Sequence, residues 1–299
     1  MKEIWIVYNG NYITEDVLWH IQRFTDAFQQ RGYRVKALPT TSIVTLLDKA
    51  ASVWGAGQPP EKILFWDKDI LLAQTLEQLG AQLFNNRICI ARCDNKSLCY
   101  QELVKQGLPI PKTILAPKIY STARDFEIYQ KIGAMMHYPL VVKESYGSFG
   151  TGVYLVHTES ELLELVEKLG NKDYLMQEYI EASCGEDIRV IVIGGKVITA
   201  VKRKNTEDFR ANVARGGSME PYILSEEEAE IAVRAADAMN ANFSGVDLLR
   251  GADGEVYVCE VNSNMHFKAC MEVTGKDIAG SIAQLIDSAE SSNKSKKCI

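Results

Sequence analysis

Asp247, Glu260 and Asn262 are the residues of this chain best suited to hold a hard cation. They lie in one stretch, DLLRGADGEVYVCEVN, where the Asp253-Gly254 pair between two runs rich in Val and Leu signals a hairpin. The turn returns the second strand beside Asp247, and alternation along that strand sends Val258, Glu260 and Asn262 to one face. A carboxylate able to bridge two cations, with further oxygen donors beside it, suits magnesium held against nucleotide phosphates. An isolated E-x-N is more often a polar strand end, so the weight falls on what else the chain carries.

Upstream segments supply groups for an anion. Tyr138 to Lys143 (YPLVVK) reads as a strand ending in lysine, followed by Glu144, the loop Gly147-Ser148-Phe149-Gly150-Thr151-Gly152 and a second strand, Val153 to Val156. Glycines let backbone N–H groups close on a phosphate, and the strand lysine can reach the same anion. The loop lacks the terminal Gly-Lys-Ser/Thr of a Walker motif and leads into a strand, so it reads as a flap over a nucleotide or as a plain turn. Lys96 opens a helix-like segment after Asp94, and Leu175 to Ile180 (LMQEYI) leaves another strand. The Gly194-Gly195 pair then closes a hairpin whose regular register sets Ile193 opposite Lys196, Ile191 opposite Ile198 and Asp187 opposite Lys202. Asp187, Arg189 and Lys202 therefore share one face, as a binding surface or as ordinary cross-strand charge pairing. Arg210, Asn212 and Arg215 follow in a loop ending Gly216-Gly217.

The first third of the chain has to position these groups. Ile4 to Tyr8 reads as a buried strand, Thr14 to Gln30 as an amphipathic helix closed by Gly32, and Tyr33 to Leu38 as a strand. Helical runs near Ser42 to Ser52 and Asp69 to Leu79 flank a strand at Lys62 to Trp66, with another at Gln82 to Phe84. Strand and helix in alternation imply a parallel sheet covered on both sides. No Gly-rich dinucleotide fingerprint follows the first strand; Asn9-Gly10-Asn11 is a tight substrate-facing turn or a plain connection. A final helix spans Asp277 to Ile286, and 289–299 reads as a flexible polar tail.

Composition narrows the classes. With 46% hydrophobic and 24% charged residues the chain is globular, and a net charge of -6 argues against a nucleic-acid-covered surface. Seven cysteines without a CxxC pair read as reduced thiols. The N-terminal apolar run is too short for a membrane span, so a cytoplasmic protein without a membrane partner is expected. The four histidines, His20, His137, His157 and His266, show no zinc-like spacing.

In this order the segments resemble the ATP-grasp superfamily, and more closely the RimK-like carboxylate–amine (alpha-L-glutamate) ligases. The resemblance runs from about Asn95 to Ile286 and rests on VVKESYGSFGTGV, QEYIEASCGEDIRVIVIGGKVITAVKR, FRANVARGGS, and SGVDLLR followed by CEVNSN. It implies an α/β fold, α+β in its C-terminal part: a Rossmann-like domain over 1–93, then a two-subdomain ATP-grasp over 94–288, with a flap at about 112–178 and a palm at about 179–288. It implies Lys96, Lys143, Gly147, Ser148 and Gly150 around the phosphates of ATP. Gln177 to Ile180 would form the nucleotide hinge, with Glu178 and Tyr179 facing adenine, and Asp187 would hold ribose. Arg189, Lys202 and Arg203 would face the transferred phosphate, Arg210 and Asn212 the phosphates and acceptor. Asp247, Glu260 and Asn262 would bind two magnesium ions, for which manganese can substitute.

The activity so implied is ATP-driven amide formation through an acylphosphate, adding an amino acid such as glutamate to a carboxylate of a peptide, protein or small molecule. Assembly as a homo-dimer or homo-tetramer is implied too, although no diagnostic interface stands in the sequence. Two other classes stay open: a non-catalytic ATP-binding module, and a phosphotransferase, since the first half-reaction is phosphoryl transfer. One departure stands out. Met265-His266-Phe267-Lys268 replaces the Pro-Gly turn of many relatives, so the acceptor pocket differs, either with His266 and Lys268 on the substrate or as a variant loop.

Overall fold

The computed structural model describes residues 2–120, 125–211 and 216–290. The N-terminal part runs β1 (Lys2–Tyr8), α1 (Glu15–Gln29), β2 (Tyr33–Pro39), β3 (Val44–Leu47), β4 (Ala51–Trp54), β5 (Lys62–Trp66), α2 (Ile70–Gln78) and β6 (Gln82–Phe84). Strands β2-β1-β5-β6 form a parallel sheet in that order. Along β1, Ile4 and Ile6 pack with Phe24 and Phe28 of α1, while Trp5 and Val7 pack with Leu72 and Leu76 of α2. Both faces of the strand are buried, as its unbroken apolar run requires. The expected helix at Ser42 to Ser52 is instead the hairpin β3–β4, which leaves Leu46 and Leu47 exposed and packs Val53 on the core. Its Val and Leu residues do not mark a buried helical stripe.

Two antiparallel sheets follow. After α3 (Arg87–Asp94) and α4 (Lys96–Lys105), β7 (Thr113–Leu115), α5 (Phe126–Met136), β8 (Leu140–Glu144), β9 (Val153–Val156), α6 (Glu159–Leu169) and β10 (Tyr174–Glu178) build a sheet of order β7-β10-β8-β9. Helices α5 and α6 cover one face through Ile132, Leu162 and Val166 against Val142 and Met176. The other face, with Val141, Lys143 and Gln177, lines a cavity. Then β11 (Glu186–Ile193), β12 (Lys196–Lys204), β13 (Ser218–Pro221), α7 (Glu226–Ala238), β14 (Phe243–Arg250), β15 (Val256–Asn262), α8 (Lys268–Thr274) and α9 (Ile278–Ser288) complete the chain, with a sheet of order β13-β12-β11-β14-β15. Helix α7 seats Ala232 and Ala235 on Val190, Val246 and Leu248.

The N-terminal sheet and the last sheet share one core. Ile282 and Ile286 of α9 share a core with Phe24 of α1, Ile191 of β11 and Phe243 of β14. The fully buried Asn85 accepts from the Asn242 and Phe243 N–H groups and donates to the Phe243 and Ser263 carbonyls. It thus fastens the end of β6 to β14 and to the segment that follows β15. No helix among the described residues is long and apolar enough to cross a membrane.

Two bulges alter the expected strand registers. Between β11 and β12 the pairing slips at Ile191/Val192, so Ile191 faces Thr199, Ile188 faces Lys202 and Asp187 faces Arg203. The face shared by Asp187 and Arg189 therefore carries Arg203, and Lys202 lies on the opposite face beside Ile188. Between β14 and β15 the slip falls at Asp247/Leu248. Asp247 faces Glu260 as the hairpin predicts, yet Val258 pairs with Leu248 in the core and does not share the Glu260 face. An inserted residue reverses the alternation of everything beyond it.

Candidate functional site

One cavity lies between the inner faces of the last two sheets. Val141, Ile180 and Leu249 give it an apolar slot, and Gln177, Glu178 and Tyr179 line it at the end of β10. The Gln177 side chain is engaged, donating to Thr113 Oγ1 at 2.8 Å, and the Glu178 N–H donates to the Lys112 carbonyl at 2.9 Å. Tyr179 packs edge-on to Phe209. Backbone strands two residues apart explain two liners not singled out from sequence: Val141 shares a face with Lys143, and Leu249 with Asp247.

At the polar end, Lys96, Lys143 and the Gly147 to Gly150 loop come together. Lys96, at the first turn of α4, donates to the Gly147 carbonyl at 2.9 Å and stands 3.7 Å from Glu260 Oε1. Lys143 donates to Tyr100 Oη at 3.0 Å, and the Tyr100 hydroxyl donates to the Cys259 carbonyl at 2.6 Å. Burial alone would pull Lys143 down, but the Cys259, Tyr100 and Glu260 groups around it more than offset this and hold it above the usual lysine range. Cys259 is the bulged residue, which is why it and its neighbour Glu260 both line the cavity. At Gly147 φ is 154°, and a Cβ there would meet the Thr151 carbonyl oxygen at 2.7 Å, so the turn requires glycine.

The five-stranded sheet contributes a buried ladder of alternating charge. Arg203 donates through Nε to Asp187 at 2.6 Å and lies 2.9 Å from Asp247, whose two oxygens accept from Arg189 at 2.7 Å each. Burial raises Asp187, although Arg203 works against it; Asp247, equally buried, is held below its ordinary value by Arg189 and Arg203. The Asn262 amide donates to Asp247 at 3.4 Å. Three oxygen-bearing side chains, Asp247, Glu260 and Asn262, thus gather at one end of the hairpin; Asp247 Oδ2 already meets Arg189, Arg203 and Asn262, so the carboxylate oxygens left free are those of Glu260. This donor set fits a hard divalent cation.

Arg210 lines the same cavity but its guanidinium is committed. It binds Asp208 through Nε and Nη2 and donates to the Gly150 and Val153 carbonyls at 2.8 and 3.1 Å, latching the glycine loop onto the palm. Lys202, by contrast, sits outside this cavity, paired with Glu186 at 2.6 Å. Its expected place beside the transferred phosphate is corrected by the β11–β12 bulge. Asn212 and Arg215 fall outside the described residues.

A second cavity adjoins the first across Ser148, Phe149 and Glu260, and reaches the N-terminal sheet through Asn9, Asp67 and Lys68. Arg189, Asn262, Asn264 and His266 also line it. Lys68 binds Asp94 at 2.6 Å and Ser148 at 2.8 Å. The sequence spacing hid one grouping here: Asp16, His20 and His266 converge within 4.8 Å. His20 is not available to a metal, because Nδ1 meets the Asp16 carbonyl at 2.7 Å and Nε2 accepts from the Phe267 N–H at 2.9 Å.

Burial lowers His20 from 6.5 to about 4, the Asp16 carbonyl and carboxylate opposing this in part. A histidine that takes up its proton more readily when unfolded makes stability fall as pH drops from 6.5 toward 4. At 1.36 kcal/mol per pKa unit the full loss is about 3 kcal/mol. Urea midpoints at pH 7 and pH 4.5 should therefore separate more for the parent than for His20→Gln, and equal separations would remove this account.

Comparison with known proteins follows the geometry. The RimK-like ATP-grasp domain family matches residues 93–286. A probable alpha-L-glutamate ligase of Methanococcoides burtonii is 32% identical over 93% of this chain and 95% of its own length. Beta-citrylglutamate synthase B of Danio rerio is 34% identical over 77% of this chain, which spans 56% of that longer relative. The structure of a RimK domain ATP-grasp protein from Sphaerobacter thermophilus covers 95% of this chain and 99% of its own at a TM-score of 0.73 and 20% identity, a likeness of fold.

Proposed function

Since the chain belongs to the RimK-like ATP-grasp family of ATP-dependent ligases, we propose that it joins the amine of an amino acid to a carboxylate through an acylphosphate, with magnesium as cofactor. The observation that carries this reading is the convergence of Lys96, Lys143, the Gly147 loop and Glu260 on one cavity, with Asp247 directly across the ladder from Glu260. Adenine would lie in the slot of Val141, Ile180 and Leu249, with the triphosphate running toward Lys96 and Lys143. Asp247, Glu260 and Asn262 would hold magnesium, which neutralises phosphate charge when bound.

The substrate carboxylate oxygen attacks the terminal phosphorus and the bond to the ADP oxygen breaks. The amine nitrogen then attacks the acyl carbon, the carbon–oxygen bond to phosphate breaks, and phosphate leaves with the electron pair. No side chain of the chain becomes a nucleophile. Lys96 and Lys143 neutralise charge, Arg189 and Arg203 fix Asp247, and Arg210 holds the loop closed, so catalysis rests on positioning and electrostatics. Arg189 also lines the second cavity, which supports a carboxylate substrate between the two cavities with the amine beyond it.

The names of the relatives guide the substrate panel: L-glutamate among the twenty L-amino acids as amine, with citrate and glutamate-terminated peptides as carboxylates. With magnesium and ATP, a matched pair should stimulate ADP release, and hydroxylamine in place of the amine should yield a hydroxamate. ATP binding without ADP release from any pair would overturn the ligase reading, and a stable phosphoester in place of hydroxamate would make the protein a phosphotransferase.

A further inference from the structure

The second cavity holds a histidine arranged to move a proton. His266 Nδ1 lies 2.6 Å from Asp16 Oδ2, so the carboxylate accepts from Nδ1–H and orients the ring. The ring is steadied by Trp66 at 5.1 Å and Phe149 at 5.3 Å between centroids. Its side chain is one quarter exposed, and Nε2 has neither a protein partner nor a buried position, so it opens on the cavity. A base oriented through its second nitrogen by a carboxylate is the arrangement by which histidine withdraws a proton from a nucleophile.

An amino acid offers such a proton. At neutral pH its nitrogen is an ammonium without a lone pair, and it must lose a proton before it can attack the acyl carbon. The cavity walls suit that form. Asp67 is 3% exposed; its Oδ1 accepts from the Lys68 and Asp69 N–H groups, and its buried Oδ2 has no partner beyond the Asn9 side chain that stands against the carboxylate. Asn264 Oδ1 is likewise buried and unpartnered. Carboxylate and amide oxygens along this wall make it a surface that favours hydrogen-bond donors. The two cations on the wall are matched, Lys68 by Asp94 and Arg189 by Asp247, and Glu260 adds a carboxylate whose nearest cation is Lys96 at 3.7 Å.

We propose that His266, oriented by Asp16, is the general base that deprotonates the attacking amine in this second cavity. The inference rests on the ligase reading above. The ammonium gives one proton to His266 Nε2, the neutral nitrogen attacks the acyl carbon, phosphate departs with the carbon–oxygen pair, and the second nitrogen proton leaves with the phosphate. Asp16 and His20 stand against the His266 ring, and Asp67, Lys68, Asp94, Arg189 and Glu260 line the same cavity.

The test compares two nucleophiles on the same acylphosphate. Hydroxylamine is already neutral at pH 7 and needs no base, whereas L-glutamate or another amino acid of the panel does. With His266→Gln, hydroxamate formation should stay within about twofold of the parent, while amide formation at pH 7 falls about 100-fold or more, in line with the contribution of a general base. Asp16→Asn, which turns the ring to the wrong tautomer, should act in the same direction while leaving the KM for ATP unchanged. Equal amide rates in parent and His266→Gln would overturn the proposal, and so would parallel loss of hydroxamate and amide, which marks a structural role. A parent that forms hydroxamate yet transfers to no amino acid would also end it. A parent that forms no hydroxamate refutes the ligase reading itself.

Discussion

Glu260→Gln is expected to lower magnesium-dependent ADP release by about 10²–10³-fold, the size of loss seen when one preorganised charge stabiliser is removed from a site. The reason lies in the unequal roles of the two carboxylates on the hairpin. Both oxygens of Asp247 are already drawn to Arg189 and Arg203, and the side chain is almost fully buried. Glu260 is about one third exposed, lies on both cavities, and its nearest cation is Lys96 at 3.7 Å. It is therefore the group with oxygens to spare for metal. Glutamine keeps its shape and removes its charge, so the fold should survive, with the unfolding free energy from urea titration changed by no more than about 0.5 kcal/mol. ATP binding without metal should be unchanged. Normal turnover at limiting magnesium in the variant would remove the metal assignment.

The pairing of Asp247 with Glu260 was legible because the Asp253-Gly254 turn sits close to the residues it brings together. Few residue pairs separate the turn from Asp247 opposite Glu260, and the single bulge between them displaces Val258 and Cys259 without parting the carboxylates. Buried strands β1 and β5 were legible for a similar local reason, an unbroken apolar run with glycine or polar residues at its ends. The stretch from Ser42 to Ser52 was not, since its apolar residues stay in solvent as a hairpin, and periodicity reports on a face only when that face is buried. Nor was the His266–Asp16 contact: 250 residues separate the two, and it exists only because α1 and the loop after β15 meet beneath the N-terminal sheet. Tyr100, which connects Lys143 to the Cys259 backbone, is equally invisible to spacing.

The β11–β12 bulge yields the second large effect, because it exchanges the roles of two adjacent cations. Arg203 is 4% exposed and stands between Asp187 and Asp247, so Arg203→Ala leaves two buried carboxylates facing each other with Arg189 as their remaining guanidinium. Removing one partner of a buried ion pair costs about 3–5 kcal/mol, to be read as a lowered urea midpoint, and turnover should fall with it because Asp247 loses its orientation. Lys202, about one third exposed, pairs with Glu186, which keeps Lys204 as a second partner at 2.7 Å. Lys202→Ala should stay within about 0.5 kcal/mol and keep near-normal turnover. The pH response gives the sign. Asp187 is already raised above its unfolded value in the native protein by burial, and without Arg203 it rises further. A carboxyl that holds its proton more tightly when folded gains stability as pH falls toward the unfolded value near 3.8, so the deficit of Arg203→Ala should shrink on acidification from pH 7. A deficit constant with pH, or a Lys202→Ala variant as damaged as Arg203→Ala, would show that the two strands pair in the unbulged register after all.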